Sequence, residues 1–248
     1  MHSFRRGLKL NTRKHATEGK PIETASVSTV VIPINQHFGA PNKALVNVGD
    51  KVIRGQVIAD AAVPGSMTCP VHASISGVVK KIEPRLQSNN ADGLCIIIEA
   101  EQVLAENQES DSCTESFMPP LDPFNCTREE ALNRIRDAGI IGMGGAGFPA
   151  HVKFNPPPGK TIDLIIANGA ECEPYLTTDE AVINEKYELL IAGLTMVMKI
   201  TGVKKAIIGL EDNKAELASL LESEIKKNSR IASEALDISI GLCRTLYP

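Results

Sequence analysis

With 248 residues, 43% of them hydrophobic, and a net charge of −4, the chain is long enough for one large or two ordinary folded domains and too apolar to be mostly disordered. Mild acidity (pI near 5.8) argues against a nucleic-acid partner, and 4% aromatics with no Trp leave the core to Val, Ile, Leu and Ala, a mixture that favours an α/β interior. No apolar run of about eighteen residues suggests a membrane-spanning helix, and none of the six cysteines sits in a Cys-x-x-Cys pair, so neither a zinc nor an iron–sulfur site is written locally.

The first twenty residues carry Arg5, Arg6, Lys9, Arg13, Lys14 and Lys20 against Glu18, a basic arm that suits either solvent or an acidic partner or membrane surface. The opening Met-His-Ser-Phe-Arg-Arg-Gly lacks the apolar stretch of a secretory signal. From 25 to 100 the pattern is of short strands, at 29–34, 51–53, 56–59, 77–82 and 94–99, broken by Gly and Pro turns; many strands without helices predict a small barrel or sandwich. Acidic, Pro-bearing residues 101–126 predict an exposed connection and a domain boundary. Beyond it helix and strand alternate. Thr127-Arg-Glu-Glu130 reads as a capping box for a helix to about 138, Thr177-Thr-Asp-Glu180 as another for a helix to 200 stopped by Gly202, and Asn213-Lys-Ala-Glu216 as a third for a helix to 227. Strands at 162–167, 203–210 and 236–240 between these helices predict a largely parallel sheet with its ligands at the carboxyl ends of the strands.

Two motifs carry chemistry. Gly142-Met-Gly-Gly-Ala-Gly-Phe-Pro149 places Gly142, Gly144, Gly145 and Gly147 within six residues, beside Ala146. Glycine is entropically costly, so this density implies that something must approach the main chain closely, and successive exposed N–H groups make a nest suited to phosphate. Lys153 adds a full positive charge nearby. The loop follows a helix and not a strand, which disfavours an ordinary dinucleotide fingerprint; a flexible hinge is the bland alternative. The second motif, Asn168-Gly-Ala-Glu-Cys-Glu-Pro174, follows a strand directly. Asn168 suits a ring carbonyl or nitrogen, while Glu171 and Glu173 suit ligand hydroxyls or a pair in which one raises the other's pKa; an acidic turn is the duller reading.

The two motifs together closely resemble the RnfC component of the Rnf ion-translocating electron transport complex and, more distantly, the NADH-binding flavoprotein of respiratory complex I. Gln36-His-Phe-Gly-Ala-Pro41, Val48-Gly-Asp-Lys-Val52, Gly55-Gln56 and Pro70-Val-His-Ala-Ser-Ile-Ser-Gly77 fit the same RnfC family, so the resemblance covers nearly the whole chain. Met143 and Ala170 stand where complex I flavoproteins carry Arg and an acidic residue, departures that favour the Rnf branch. The resemblance implies that Gly142, Gly144, Gly145, Ala146, Gly147 and Lys153 contact the phosphate of FMN, that Asn168 and Glu171 flank the flavin, and that Phe148 and Glu173 lie on the side of NADH, the substrate. No residue is nominated as a general acid or base, nor as a metal ligand. It also implies electron flow from NADH through FMN to iron–sulfur centres and ferredoxin, coupled to ion transport, with the other Rnf subunits as partners and a peripheral place on the cytoplasmic face of the cell membrane. The family carries [4Fe-4S] clusters for which this sequence has no ligand motif, and its members continue past the point where this sequence ends, so a piece of a longer protein with an incomplete flavin site is expected.

The expected architecture is α/β plus β. Residues 1–100 would form a barrel-sandwich hybrid, because segments 48–58 and 72–79 look like the two halves of a biotinyl/lipoyl domain; residues 127–248 would form a doubly wound, mostly parallel FMN/NADH-binding domain. No Lys lies between 59 and 76, which excludes an acyl-carrier role and leaves docking to partner subunits. The alternative for the chain as a whole is a non-catalytic assembly module. A quinone-reductase component sharing the barrel is weakened by the intact Gly-Gly-Ala-Gly-Phe-Pro loop.

Overall fold

The computed structural model describes residues 8, 10–87, 90–100, 115–171 and 173–245. Most of the expected acidic connection (101–114), together with Cys113 and Cys172, lies outside them. The chain divides into two compact units, Ala25–Pro156 and a second that combines the Met1–Thr24 segment with Pro157–Pro248. The division differs from the one expected at 101–126: the described part of the basic arm belongs with the α/β unit, and the first helix and glycine loop belong with the β unit.

The β unit contains two antiparallel sheets. One has the order β1 (Thr29–Pro33), β7 (Asp92–Ala100), β6 (Gly77–Leu86), β3 (Lys51–Val52); the other has β2 (Asn42–Ala44), β4 (Val57–Ala61), β5 (Val71–His72). Inward residues of both sheets, among them Ile32, Val52, Ile58, Val71, Val79, Ile96 and Ile98, form one cluster, which makes the unit a sandwich. Ile32 pairs with Ile96, and Val30 with Ile98, so β-branched side chains stack across the ladder. Full burial of Ile58, Ile96 and Ile98 contributes about 1.5–3 kcal/mol each. Asn42 stitches the interior, its side-chain amide donating to Ile34 O (2.9 Å) and Cys69 O (2.8 Å). β2 and β5 escape a reading by pattern because Asn-Lys-Ala and Val-His are too short to alternate; pairing with β4 makes them strands.

Two helices complete the unit. α1 (Arg128–Asp137) opens with the expected capping box: Thr127 Oγ1 accepts from Glu130 N–H, and the Glu130 carboxylate accepts from Thr127 N–H at 2.7 Å. These hydrogen bonds, the backbone one first, hold the Glu130 carboxyl below the usual carboxylate range. α2 (Ala150–Lys153) is a single turn.

In the α/β unit, β8 (Ile165–Gly169), β9 (Lys205–Glu211) and β10 (Asp237–Cys243) form a parallel sheet in the order β10-β9-β8. α3 (Thr178–Thr201) links β8 to β9, while α4 (Ala215–Lys227) and α5 (Ser229–Ser233) link β9 to β10. Ile191, Leu194 and Met198 of α3 and Leu217, Leu221 and Ile225 of α4 share one core with Ile208 and Leu210 of β9. The described strands run in chain order and contain no reversal, so the switch point that would make the sheet doubly wound is not among them. α3 ends as expected, at Gly202 in the left-handed region (φ 75°).

The other two expected capping boxes are not made. Thr177 makes no side-chain cap bond to α3; Glu171 Oε1 accepts from Asp179 N–H instead, at 2.9 Å. α4 begins after Lys214 with no side-chain cap, and Asn213 Nδ2 donates to Glu211 (3.3 Å). A carboxylate at a helix N-terminus is favoured over a hydroxyl by both the charge and the helix dipole.

Candidate functional site

The glycine loop is a closed hairpin-like turn between α1 and α2. Its base is the bridge between Ile141 and Pro149, with Gly142 N–H donating to Phe148 O (2.8 Å). Gly147 is pinned: it adopts φ +59°, its carbonyl accepts from Phe38 N–H (2.9 Å), and an added Cβ would lie 3.0 Å from Gln36 O. The tip is different. Met143 to Ala146 are exposed, Gly145 has φ +125°, and a Cβ on Gly144 or Gly145 would meet no atom within 4 Å. The loop thus has a pinned base and an open tip where the main chain is accessible. Lys153, on α2, is exposed. An open cleft of about 480 Å³, lined in part by Gln36, His37, Cys69, His72 and Ile140, reaches the loop at Met143. Phe148 stacks on Phe38 (centroids 6.0 Å apart, planes at 22°), so part of its ring is already covered.

Behind the loop lies a polar cluster that the sequence did not reveal. Arg136 holds Asp60 through two contacts (2.8 and 2.9 Å) and also pairs with Asp137. Cys69 Sγ stands 3.9 Å from His151 Nδ1. Burial pushes the Cys69 thiol up, against the opposing pull of Arg136. Burial, and then Arg136, hold His151 below its usual value.

The second motif belongs to the α/β unit. Asn168, the last residue but one of β8, is exposed, its Oδ1 accepting from Ala170 N–H (3.1 Å), and Glu173 is exposed. Glu171 is buried at 6% exposure. The two glutamates therefore have separate environments, one buried and one exposed. The partner of Glu171 is Lys14, from the basic arm, only 4% exposed. The Lys14 ammonium donates to Glu171 O, lies 3.9 Å from Glu171 Oε2 and bonds Glu211 Oε2 at 3.4 Å. Among the described residues, Glu171 Oε2 has no hydrogen-bond partner. Lys214 pairs with Glu180 and lies 3.6 Å from Glu18. Among the described residues of the arm, Lys14 thus finds its acidic partners in its own chain. The signal available in the sequence was the placing of Glu171 and Glu211 at the carboxyl ends of two parallel strands, where buried carboxylates demand a counter-charge. Gly142 to Gly147 and Lys153 lie in one unit, while Asn168, Glu171 and Glu173 lie in the other.

Among the described residues, no group of three or more His, Cys, Asp or Glu is placed to hold a metal ion, and no helix is long and apolar enough to cross a membrane.

Comparisons with known proteins match both units. Residues 2–103 match the family of the RnfC barrel sandwich hybrid domain, and residues 135–248 match that of the Nuo51 FMN-binding domain. The RnfC counterpart in the proton-translocating ferredoxin:NAD(+) oxidoreductase complex of Clostridium ljungdahlii is 41% identical over 249 residues, covering 100% of this chain and 51% of the relative. The counterpart in the Na(+)-translocating complex of Acetobacterium woodii is 34% identical over 234 residues, 92% of this chain and 50% of the relative. The counterpart in the ion-translocating oxidoreductase complex of Vibrio cholerae is 36% identical over 248 residues, 99% of this chain and 30% of the relative. The chain spans about half the length of the first two relatives and under a third of the last. With both domain families present in order and relatives of this similarity along its length, the chain belongs to the RnfC family of ion-translocating oxidoreductase complexes.

Proposed function

We propose that this chain is the FMN- and NADH-binding part of an Rnf-type complex, receiving electrons from NADH and passing them towards iron–sulfur centres and ferredoxin on partner subunits. The observation that carries the reading is the open tip of the glycine loop, where main chain is available at Gly144 and Gly145 without a side chain in the way. Gly142, Gly144, Gly145, Ala146 and Gly147 would hold the flavin phosphate through main-chain N–H groups, with Lys153 supplying the charge. Asn168 would flank the ring, with Glu171, buried against Lys14, holding the strip behind it, and Phe148 and Glu173 would face NADH. When bound, FMN supplies the chemistry of accepting a hydride and releasing electrons singly. The chain's own residues bind and orient, and no proton transfer is assigned to a side chain. Coupling to ion transport and a peripheral place on the cytoplasmic face of the membrane belong to the same reading; the relatives' names give protons in one case and sodium in another.

Flavin addition followed by gel filtration is the direct test. Retained absorbance at about 450 nm that bleaches on adding NADH is expected; a protein that stays colourless after incubation with FMN contradicts the reading.

The β sandwich favours a second role beside the first. Its carrier-like halves are joined through residues 59–76 without a Lys, so there is no side chain for a swinging cofactor, and docking to partner subunits is what such a module can do.

A further inference from the structure

We propose that the N-terminal arm is an intrachain strap that positions the strip Asn168–Tyr175, with Lys14 inserted between Glu171 and Glu211 as the residue through which it acts. The arm's tethers converge on that strip. Lys14 reaches the carboxyl ends of two neighbouring parallel strands at once, bonding the main-chain oxygen of Glu171 just beyond β8 and the carboxylate of Glu211, the last residue of β9. The same Glu171 caps α3 through Asp179 N–H, so one buried cation fixes the strip at the point where it turns into the helix.

Tyr175 supplies an independent observation. It holds φ +68°, a left-handed conformation that a bulky side chain keeps only where its surroundings impose it. Those surroundings are the arm. Tyr175 N–H donates to Thr12 O (2.7 Å), Thr17 Oγ1 donates to Tyr175 O (2.9 Å), Arg13 Nη1 donates to the Tyr175 hydroxyl (3.3 Å), and the guanidinium lies 6.0 Å from the ring centroid. Further along, Glu18 reaches Lys214 and Ile22 N–H donates to Glu185 Oε1 (2.7 Å), which extends the strap along α3. A terminus that merely covered the core would bury apolar side chains. The described residues of this one direct polar contacts to the backbone and charges of the strip and of the helices that follow β8 and β9. The arm also lies within the stretch that matches the RnfC family and outside the Nuo51 stretch on which it packs, so the strap ties together segments that two separate families describe.

That the strip touches a nucleotide rests on the function proposed above; that the arm sets its conformation does not. Lys14 is therefore a positioning residue, and two measurements separate the claims. In the flavin-free chain, Lys14→Met should speed hydrogen exchange of the Tyr175 and Asp179 amides by about tenfold or more, and Lys14→Arg should restore protection. FMN affinity should fall by about tenfold or more in Lys14→Met and recover in Lys14→Arg. If Lys14→Met fails to fold, Lys14→Met with Glu211→Gln removes a cation and an anion together and serves in its place. Unchanged exchange overturns the strap. Faster exchange with unchanged FMN affinity overturns the positioning role. A wild-type chain that takes up no FMN defeats the proposed function and leaves the strap to be judged by the exchange result.

Discussion

Gly144 and Gly147 share one loop and differ in what requires them. Gly147 is fixed by φ +59° and by Gln36 O at 3.0 Å from a would-be Cβ, so Gly147→Ala is expected to destabilise the fold by about 1–3 kcal/mol. Gly144 has neither restraint, and Gly144→Ala is expected to stay within about 0.5 kcal/mol of wild type; any loss of FMN binding in it then reports on the cradle and not on folding. Urea denaturation of both variants checks the contrast, which fails if the two lose stability equally. The glycine loop was legible in the sequence because its density is costly without a purpose. Lys14 was not. Nothing local distinguishes it from Arg13 or Lys20; its burial follows from two carboxylates about 160 and 200 positions away in the chain. Lys14→Met leaves both of those carboxylates without their cation and is expected to cost about 3–5 kcal/mol of stability, with Glu211→Gln in the same chain returning part of it. A urea midpoint unchanged from wild type would contradict this.

At the scale of elements, the caps show where sequence patterns stop. The Thr127 box forms because its donors and acceptors are all local and exposed. The Thr177 box has the same spelling, yet Glu171 takes the cap and Glu180 turns to Lys214, because tertiary charge pairs are stronger than a neutral hydroxyl's bond. The long strands β6 and β7 and the parallel strands were visible as β-branched runs, while β2 and β5 exist through their partner β4. The Cys69–His151 contact links the strand-bearing part of the β unit to α2, and its titration has a direction. His151 has its usual value near 6.5 when unfolded and a lower one when folded. The unfolded chain therefore binds the proton more readily, so His151 stabilises the fold above about pH 6.5 and that contribution is lost as pH falls below it towards the folded value. Stability measured between pH 7.5 and about 5.5 should fall less steeply in His151→Asn than in wild type; identical slopes would remove His151 as a contributor. Cys69 and Cys95, both buried, should react with a thiol reagent only as the chain unfolds, whereas Cys126 and Cys243 should react in the native state. Mass spectrometry of briefly labelled protein decides, and early labelling at Cys69 would contradict its placement.

For the molecule as a whole, composition and periodicity separated a β part from an α/β part, and the two matched families divide the chain in the same order. Long-range pairing lay beyond that reading: the arm at the start of the sequence completes the unit at its end. Removing residues 1–100 takes away Lys14 as well as the sandwich strands, so any effect on flavin binding mixes the two; removing 1–24 alone isolates the arm and is expected to lower the thermal midpoint of the α/β unit. The central claim, that the glycine loop cradles FMN, is tested most directly by titrating FMN into the wild-type chain and into Gly144→Ala and Lys153→Met, following quenching of flavin fluorescence. Saturable binding in wild type that weakens by about tenfold or more in both variants, with their folds intact, is the predicted result. Binding of equal strength in all three, or none in wild type, would contradict it.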